Sequence, residues 1–425
     1  MSRRRRILVV TPTPWELAAI KSPQLQERYE FILCGEDLAA DPTWWKALRF
    51  DVVRYLKGVA RQYGHPIDGV MGTGDYPGCL FSAWLARELH LPGPHPEVVL
   101  RMSHKLISRE IQAKTVPEAT PLFEVIKQPG RRPPRGFTYP FFVKPVKGAM
   151  SIRASMVRDN DELRRAVSLS WREMLRAWVL LRPFQQLLTL YGDTRTSVWD
   201  FIAEAPLYGV QVTVDGFVQR GEVTIMGIVD SVMYPGTMSF QRFEYPSTLP
   251  GGVLARMADI TTRFVEGSGL DQTCFNVELF YDAERDLISI IEINPRMSYQ
   301  FSDLYQQVDG TSTFEIQLAL ITGQEVVWVP GAGPDKAAAS FVERRFKDGR
   351  VVRTPSPSQL AEVESMFPGT HVEALCEPGE HLSDHDQDVG SFRYCITNLS
   401  APSREVLFQR YDRVKEHLPF VFEDT

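Results

Sequence analysis

Residues 274–296, CFNVELFYDAERDLISIIEINPR, constrain the fold of this chain more than any other stretch. Two runs rich in β-branched and aromatic residues flank the polar turn Asp282-Ala283-Glu284-Arg285-Asp286, the pattern of an antiparallel hairpin with a longer loop. Side chains alternate along a strand, so Asn276, Glu278 and Phe280 share one face, and Ile288, Ile290, Glu292 and Asn294 share one face of the returning strand. Glu278 and Glu292 can then point the same way. Paired carboxylates in an apolar hairpin repel each other and lose hydration unless a cation lies between them. Oxygen donors of this kind, with Asn294 two residues on, suit Mg²⁺ shared with nucleotide phosphates. Arg296 adds a planar donor for phosphate or carboxylate. The bland alternative is a hairpin with solvated glutamates, and Ile290, Ile291 and Ile293 around Glu292 count against it.

The stretch resembles the metal-binding signature of the ATP-grasp superfamily, an acidic residue on one strand followed by E-x-N-P-R on the next. The resemblance implies Glu278, Glu292 and Asn294 as metal ligands and Arg296 as a catalytic residue. ATP and Mg²⁺ are the implied cofactors, with Mn²⁺ as an alternative metal.

Bulk properties agree with such an enzyme. A chain of 425 residues exceeds one ordinary core and should divide into about two to four domains. A net charge of -6 provides no field for a polyanion, which argues against nucleic acid. No apolar run is long enough to cross a bilayer. The opening MSRRRRILVV is basic, but its apolar run breaks at Thr11-Pro12, too early for a signal peptide. Cys34, Cys79, Cys274, Cys376 and Cys395 form no close pair, which suits a reducing cytoplasm.

Along the chain, residues 7–10, 29–34 and 69–72 read as strands alternating with helical segments at 15–20 and 83–90, and so as a parallel α/β sheet. A dinucleotide-binding oxidoreductase would share that alternation, but the first turn reads Thr-Pro-Thr-Pro and not G-x-G-x-x-G. The turn 72–78, GTGDYPG, precedes a helix whose N-terminus can receive an anion, yet it lacks the Lys-Ser/Thr of a P-loop and reads equally as an ordinary strand-to-helix turn near the active-site edge. After Leu91-Pro92-Gly93-Pro94, a helix opening at Lys105 runs to about Lys114. This order is similar to a pre-ATP-grasp domain joined to the nucleotide-binding domain, and it implies that Lys105 contacts phosphates.

Lys144 ends a buried-looking strand at 139–145 and is followed by a small-residue loop through Ser151. A compact charge beside amides that can approach oxygens makes a phosphate clamp. The segment resembles the second ATP-grasp lysine with its covering loop, although Ala149, Met150, Arg153 and Ala154 stand where family members often have glycine. Lys144 is thereby a catalytic and nucleotide-binding candidate, Ser151 a nucleotide contact, and Arg153 a contact to substrate or phosphate. Residues 161–176 read as one amphipathic helix. Residues 199–216 read as strand, hinge and strand, a crevice for a flat base. By resemblance Glu204, Ala205 and Leu207 face the adenine, and Gln211 stands in the place of the ribose-binding acid.

The aromatic, proline-rich segment 234–250 reads as an irregular pocket lining. It gives Arg242 and Tyr245, with Asp230 before them, as substrate candidates. Met297-Ser298 departs from the small glycines usual in the family and makes Ser298 a further candidate. Residues 251–267 and 313–322 read as helices and 329–334 as a linker. The tail ends in a helix near 403–417. His381, Asp384, His385, Asp386 and Asp388 read as a hydrated loop in preference to a metal site.

The expected fold is thus α/β and α+β: a pre-ATP-grasp parallel-sheet domain (1–100), an ATP-grasp domain (101–328) and a small C-terminal α+β domain (335–425). The resemblance implies an ADP-forming carbon-nitrogen ligase with small-molecule carboxylate and amine substrates, for which a homodimer is among the expectations. The charge, hydropathy and cysteine pattern add the expectation of a cytoplasmic protein without nucleic-acid or membrane partners. A bicarbonate-using carboxylase and a degenerate ATP-binding protein are the alternatives.

Overall fold

The computed structural model describes residues 3–35, 49–63, 66–127, 132–148, 154–192, 196–385 and 390–424. The first apolar run forms β1 (Arg5–Val10), flanked in parallel by β2 (Tyr29–Cys34) and β3 (Gly69–Met71). Alternation sends Ile7 and Val9 into one apolar core and Leu8 and Val10 into another, so both faces of the small sheet are covered. The helices of this part are α1 (Pro14–Ala19), α2 (Pro23–Arg28), α3 (Val52–Tyr63), α4 (Gly78–Glu88), α5 (Pro96–Met102) and α6 (Lys105–Thr115). Thr13 and Glu16 close a capping box on α1, and the buried Glu16 also accepts the Thr73 amide at 2.9 Å. That bond pins the turn after β3. Gly72 is required there, since a Cβ would lie 2.5 Å from the Gly78 carbonyl oxygen.

A four-stranded antiparallel sheet follows, built from β4 (Phe123–Ile126), β5 (Phe141–Pro145), β6 (Ser155–Val157) and β7 (Phe201–Glu204) in the order β4-β7-β5-β6. Between β6 and β7 the helix expected over 161–176 is two helices, α7 (Asn160–Val167) and α8 (Trp171–Leu190). Each has its own cap: Asp159 accepts the amides of Asp161 and Glu162, and Ser170 forms a capping box with Glu173. Amphipathic periodicity ran through this break because Ser168-Leu169-Ser170 does not interrupt it strongly.

The main sheet comprises β8 (Val210–Gln219), β9 (Glu222–Met233), β10 (Phe240–Tyr245), β11 (Thr273–Asp282), β12 (Leu287–Asn294), β13 (Ala337–Arg345) and two later strands. Between them lie α9 (Gly251–Ser268), α10 (Ser302–Asp309) and α11 (Thr313–Ile321). The remaining elements are β14 (Gly349–Arg353), α12 (Pro357–Met366), β15 (His371–Ala374), β16 (Phe392–Ala401), α13 (Arg404–His417) and β17 (Val421–Asp424). The order β12-β11-β8-β9-β10-β13-β16-β15 makes one antiparallel sheet, with β14-β17 as a separate pair.

Two expectations are corrected here. Segment 234–250 is not irregular throughout: Phe240–Tyr245 forms a strand between β9 and β13. Prolines 235, 246 and 250 hid its two-residue alternation. The stretch 329–334 is tied down and does not act as a free linker, with Gly331 N donating to Asp309 at 2.6 Å and Gly333 N to the Val308 carbonyl at 2.9 Å. Past it the sheet continues without a break from β10 to β13. No helix among the described residues is long and apolar enough to cross a membrane. The five cysteines are free and buried.

Candidate active site

The hairpin forms as its sequence dictates, and β11 and β12 pair with Asn276 opposite Asn294 and Glu278 opposite Glu292. The carboxylates therefore face each other across one ladder step, with a bulge just after Glu278. Burial, then the charge of Glu292, pushes the Glu278 carboxyl up to about 8. Glu292 goes the other way: the charges of Lys105 and Lys144 outweigh burial and hold its carboxyl below the ordinary range. Lys105 Nζ lies 2.7 Å from Glu292 and 3.2 Å from the Gly148 carbonyl. It opens α6, whose start is fixed by His104 as N-cap and by the Lys105 amide donating to Val146 O at 2.9 Å.

Asn294 donates its Nδ2 to Asn276 Oδ1 at 2.9 Å, and Asn276 in turn donates to the Arg296 carbonyl at 3.3 Å. Among the described residues no group of three His, Cys, Asp or Glu side chains gathers around a metal-sized gap. The oxygen donors that do converge are two carboxylates and one carboxamide, a set suited to Mg²⁺ that shares its remaining positions with phosphate oxygens.

Beneath them lies a buried ionic set. Glu204, at the end of β7, accepts Arg109 Nε and Lys144 Nζ, each at 2.8 Å. Arg109 also donates to Gln112 and to the carbonyls of Ile290 and Ile291, at 2.8 and 2.7 Å for the carbonyls. Burial opposes ionisation of Glu204, but Arg109 and Lys144 overcome it and bring the carboxyl down to about 2. Lys144 is pushed below its ordinary value by burial, and Arg109 and Lys105 add to this against Glu204. The two trends differ because Glu204 faces two cations, whereas Lys144 is buried beside the like charges of Arg109 and Lys105.

These groups border a cavity of about 360 Å³. Its polar wall holds Asp75, Lys105, Lys147, Glu204, Glu292 and Asn294, and its apolar wall Leu169, Ala177, Leu180, Leu181, Val198 and Trp199. Arg296 stands beside it, with Nε donating to Asp75 Oδ1 at 2.6 Å.

Several expected residues lie off the cavity wall. Ala205 gives its amide to Leu122 O at 2.9 Å, Leu207 is half-buried, and Gln211 donates to Glu278 at 2.9 Å; none of the three lines the cavity. Asp230 holds the turn at Ser247 and Thr248, accepting from both Thr248 N and Oγ1 at 2.8 Å. Arg242 is bound to Glu244 and lies over the Phe408 ring. Tyr245 is buried, with its hydroxyl donating to Asp309 at 2.8 Å. Ser298 donates to Asp215 at 2.5 Å, and Tyr305 to the same carboxylate at 3.0 Å. Asp230, Arg242, Tyr245 and Ser298 thus each have partners within the protein, and none of the four lines the cavity. Their side chains serve the sheet and its turns, a use that aromatic and proline content could not disclose. Ser151 and Arg153, like Asp386 and Asp388, lie outside the described residues.

Three cavity or cavity-floor residues were not foreseen: Asp75, Arg109 and Lys147. Lys147 lies over the rings of Tyr76 and Phe184, at 5.6 and 5.1 Å. Of the two readings of turn 72–78, a receiver of anions or an ordinary strand-to-helix turn near the active-site edge, the fold shows a strand-to-helix turn that carries an anion, Asp75, to the cavity. Its sequence signal was an acid at the tip of a glycine-rich turn.

Residues 137–302 match the family model of the ATP-grasp domain. No curated protein matches the chain by sequence. Similar solved structures include the L-amino acid ligase from Bacillus licheniformis, with a TM-score of 0.72, 16% identity and 100% of both chains covered. The biotin carboxylase domain of Hydrogenobacter thermophilus 2-oxoglutarate carboxylase, solved with MgADP and bicarbonate, gives 0.68 at 14% identity, covering 99% of this chain and 92% of that one. Phosphoribosylglycinamide synthetase from Anaerococcus prevotii gives 0.64 at 12% identity, covering 99% and 100%. At these identities the likeness is one of fold.

Proposed function

Given a chain that carries an ATP-grasp domain inside a fold shared end to end with ATP-grasp ligases, we propose that it is an ADP-forming carbon-nitrogen ligase. The observation that carries this reading is the in-register pair Glu278 and Glu292, with Lys105 on Glu292; Lys105, Glu292 and Asn294 line one cavity, Lys144 is tied to its wall through Glu204, and Arg296 through Asp75. A carboxylate substrate attacks the γ-phosphorus of ATP, the bond to the bridging oxygen breaks, and ADP leaves. An amine then attacks the acyl carbon, phosphate departs, and the amine loses a proton, giving an amide.

Each residue has a part in that sequence. Lys105 and Lys144 place positive charge where polyphosphate must lie, and Lys147 extends that charge along the cavity. Arg296 stabilises the transferred phosphoryl group or the acyl-phosphate oxygens. Glu278, Glu292 and the carboxamide oxygen of Asn294 fit Mg²⁺, because a cation between the facing carboxylates would offset the burial and the Glu292 charge that push the Glu278 carboxyl up. The ion would supply charge neutralisation for the phosphates. Mn²⁺ offers the same chemistry to the same donors. A cytoplasmic setting is proposed from the five free, buried thiols, and a homodimer is proposed by analogy alone.

The test is phosphate and ADP release from ATP and Mg²⁺ with pooled L-amino acids, compared with bicarbonate. Release that needs an amino acid is the expected result, and Glu292→Gln should reduce it at least about 1000-fold while leaving the unfolding midpoint close to wild type. Bicarbonate dependence would replace the ligase by a carboxylase. No nucleotide turnover with any acid would leave only a nucleotide-binding role.

A further inference from the structure

The Asp75–Arg296 pair poses a problem for a site that must hold anions. Polyphosphate, a carboxylate and an acyl-phosphate are all negative, and a fixed carboxylate on the cavity wall repels each of them. Asp75 is nonetheless presented with care. Its turn is clamped at one side by Thr73 N on Glu16 and at the other by Cys79 N on the Gly74 carbonyl at 2.8 Å. Of its two carboxylate oxygens, Oδ1 accepts Arg296 Nε, and among the described residues Oδ2 has no hydrogen-bond partner. The side chain is 36% exposed and lines the cavity, whereas Arg296 is 15% exposed. Beyond the guanidinium, Tyr299, Trp15 and His371 continue as half-buried rings. Arg296 lies 5.9 Å from the Tyr299 ring, and 5.8 Å separates Trp15 from each of the other two rings.

We propose that Asp75 and Arg296 form a divided receptor for a zwitterionic α-amino acid, with Arg296 taking its carboxylate and Asp75 its ammonium group. The free carboxylate oxygen supplies the ammonium contact, and the carboxylate reaches Arg296 on the donors not used by Asp75. The side chain of the amino acid turns toward the Tyr299–Trp15–His371 wall. Asp75 is then a specificity-determining residue that demands a protonated amino group on the substrate. This assignment rests on the ligase reading for its consequence in turnover, though not for binding. The rival role, in which Asp75 only positions Arg296, predicts equal losses for every carboxylate.

The test compares the twenty L-amino acids with matched deaminated acids, such as alanine with propionate and phenylalanine with 3-phenylpropionate. Calorimetric binding in the presence of MgADP and ADP release from MgATP are both measured. Wild type should favour at least one amino acid over its deaminated partner by about 10- to 100-fold, the range for one charge-assisted contact. Asp75→Asn should erase that preference by weakening the amino acid while changing the deaminated acid less than about 3-fold, and Asp75→Glu should restore part of it. Equal weakening of both ligand classes, or no preference in wild type, overturns the receptor. Amino-acid binding that depends on Asp75 without any ADP release would sustain the receptor and refute the ligase.

Discussion

Glu204→Gln keeps the shape of a buried side chain and deletes the negative charge between Arg109 and Lys144. At about 1.4 kcal/mol per pH unit, a carboxyl held at about 2 in place of 4.5 contributes about 3 kcal/mol at neutral pH. The folded-state value lies below the unfolded one, so the contribution is full above about pH 4.5 and fades as pH falls toward 2. Removing one member of a buried ionic set costs about 3–5 kcal/mol, because the others are left uncompensated. Arg109 cannot release its proton, so Lys144 must respond, and burial already presses it that way. The variant should lose about 3 kcal/mol of unfolding free energy at pH 7 in urea titrations, with the deficit narrowing toward pH 3.5. Its KM for ATP should rise about 10-fold or more as Lys144 becomes neutral. Arg109→Met added to Glu204→Gln should lose less than the two single changes together. A Glu204→Gln protein within about 0.5 kcal/mol of wild type at pH 7 would refute the account.

Asp215 lies under the loop after Arg296, and burial, against the hydroxyls of Ser298 and Tyr305, pushes it up to about 7. Its folded value lies above the unfolded one, so stability is full below about pH 3.8, declines as pH rises to 7 and is level beyond. Asp215→Asn should therefore gain on wild type by about 3 kcal/mol between pH 5 and 8 in paired urea titrations, and a constant difference would contradict the burial argument. Gly209 has φ +103, and a Cβ there would sit 1.9 Å from the Tyr281 carbonyl oxygen, whereas Gly221 at φ +81 opens on free space. Gly209→Ala should cost well over about 2 kcal/mol and Gly221→Ala only about 1 kcal/mol by thermal unfolding; comparable costs would remove the claim of close packing at the hinge.

What the residues disclosed and what they withheld divide by distance along the chain. The hairpin was legible because two-residue alternation, a polar turn and register all act locally, and these alone put Glu278 and Glu292 on one face. The parallel sheet at the start was legible for the same reason. Segment 234–250 was misread because a central strand earns its place from β9 and β13, neighbours that its own residues do not name. The partners of Arg242 and Tyr245 were hidden for the same reason, since Glu244, Phe408 and Asp309 reach them only through the fold.

The hairpin sequence by itself determined which groups stand together: two carboxylates, a carboxamide and an arginine at strand spacing, the set on which the proposal of a cation and phosphate rests. The tertiary structure decided how those groups are charged and what stands opposite them. Arg109 meets Glu204 across 95 residues and Asp75 meets Arg296 across 221. Such pairings arise when packed cores bring separate elements together and desolvate their charges, and no local period in a sequence records them.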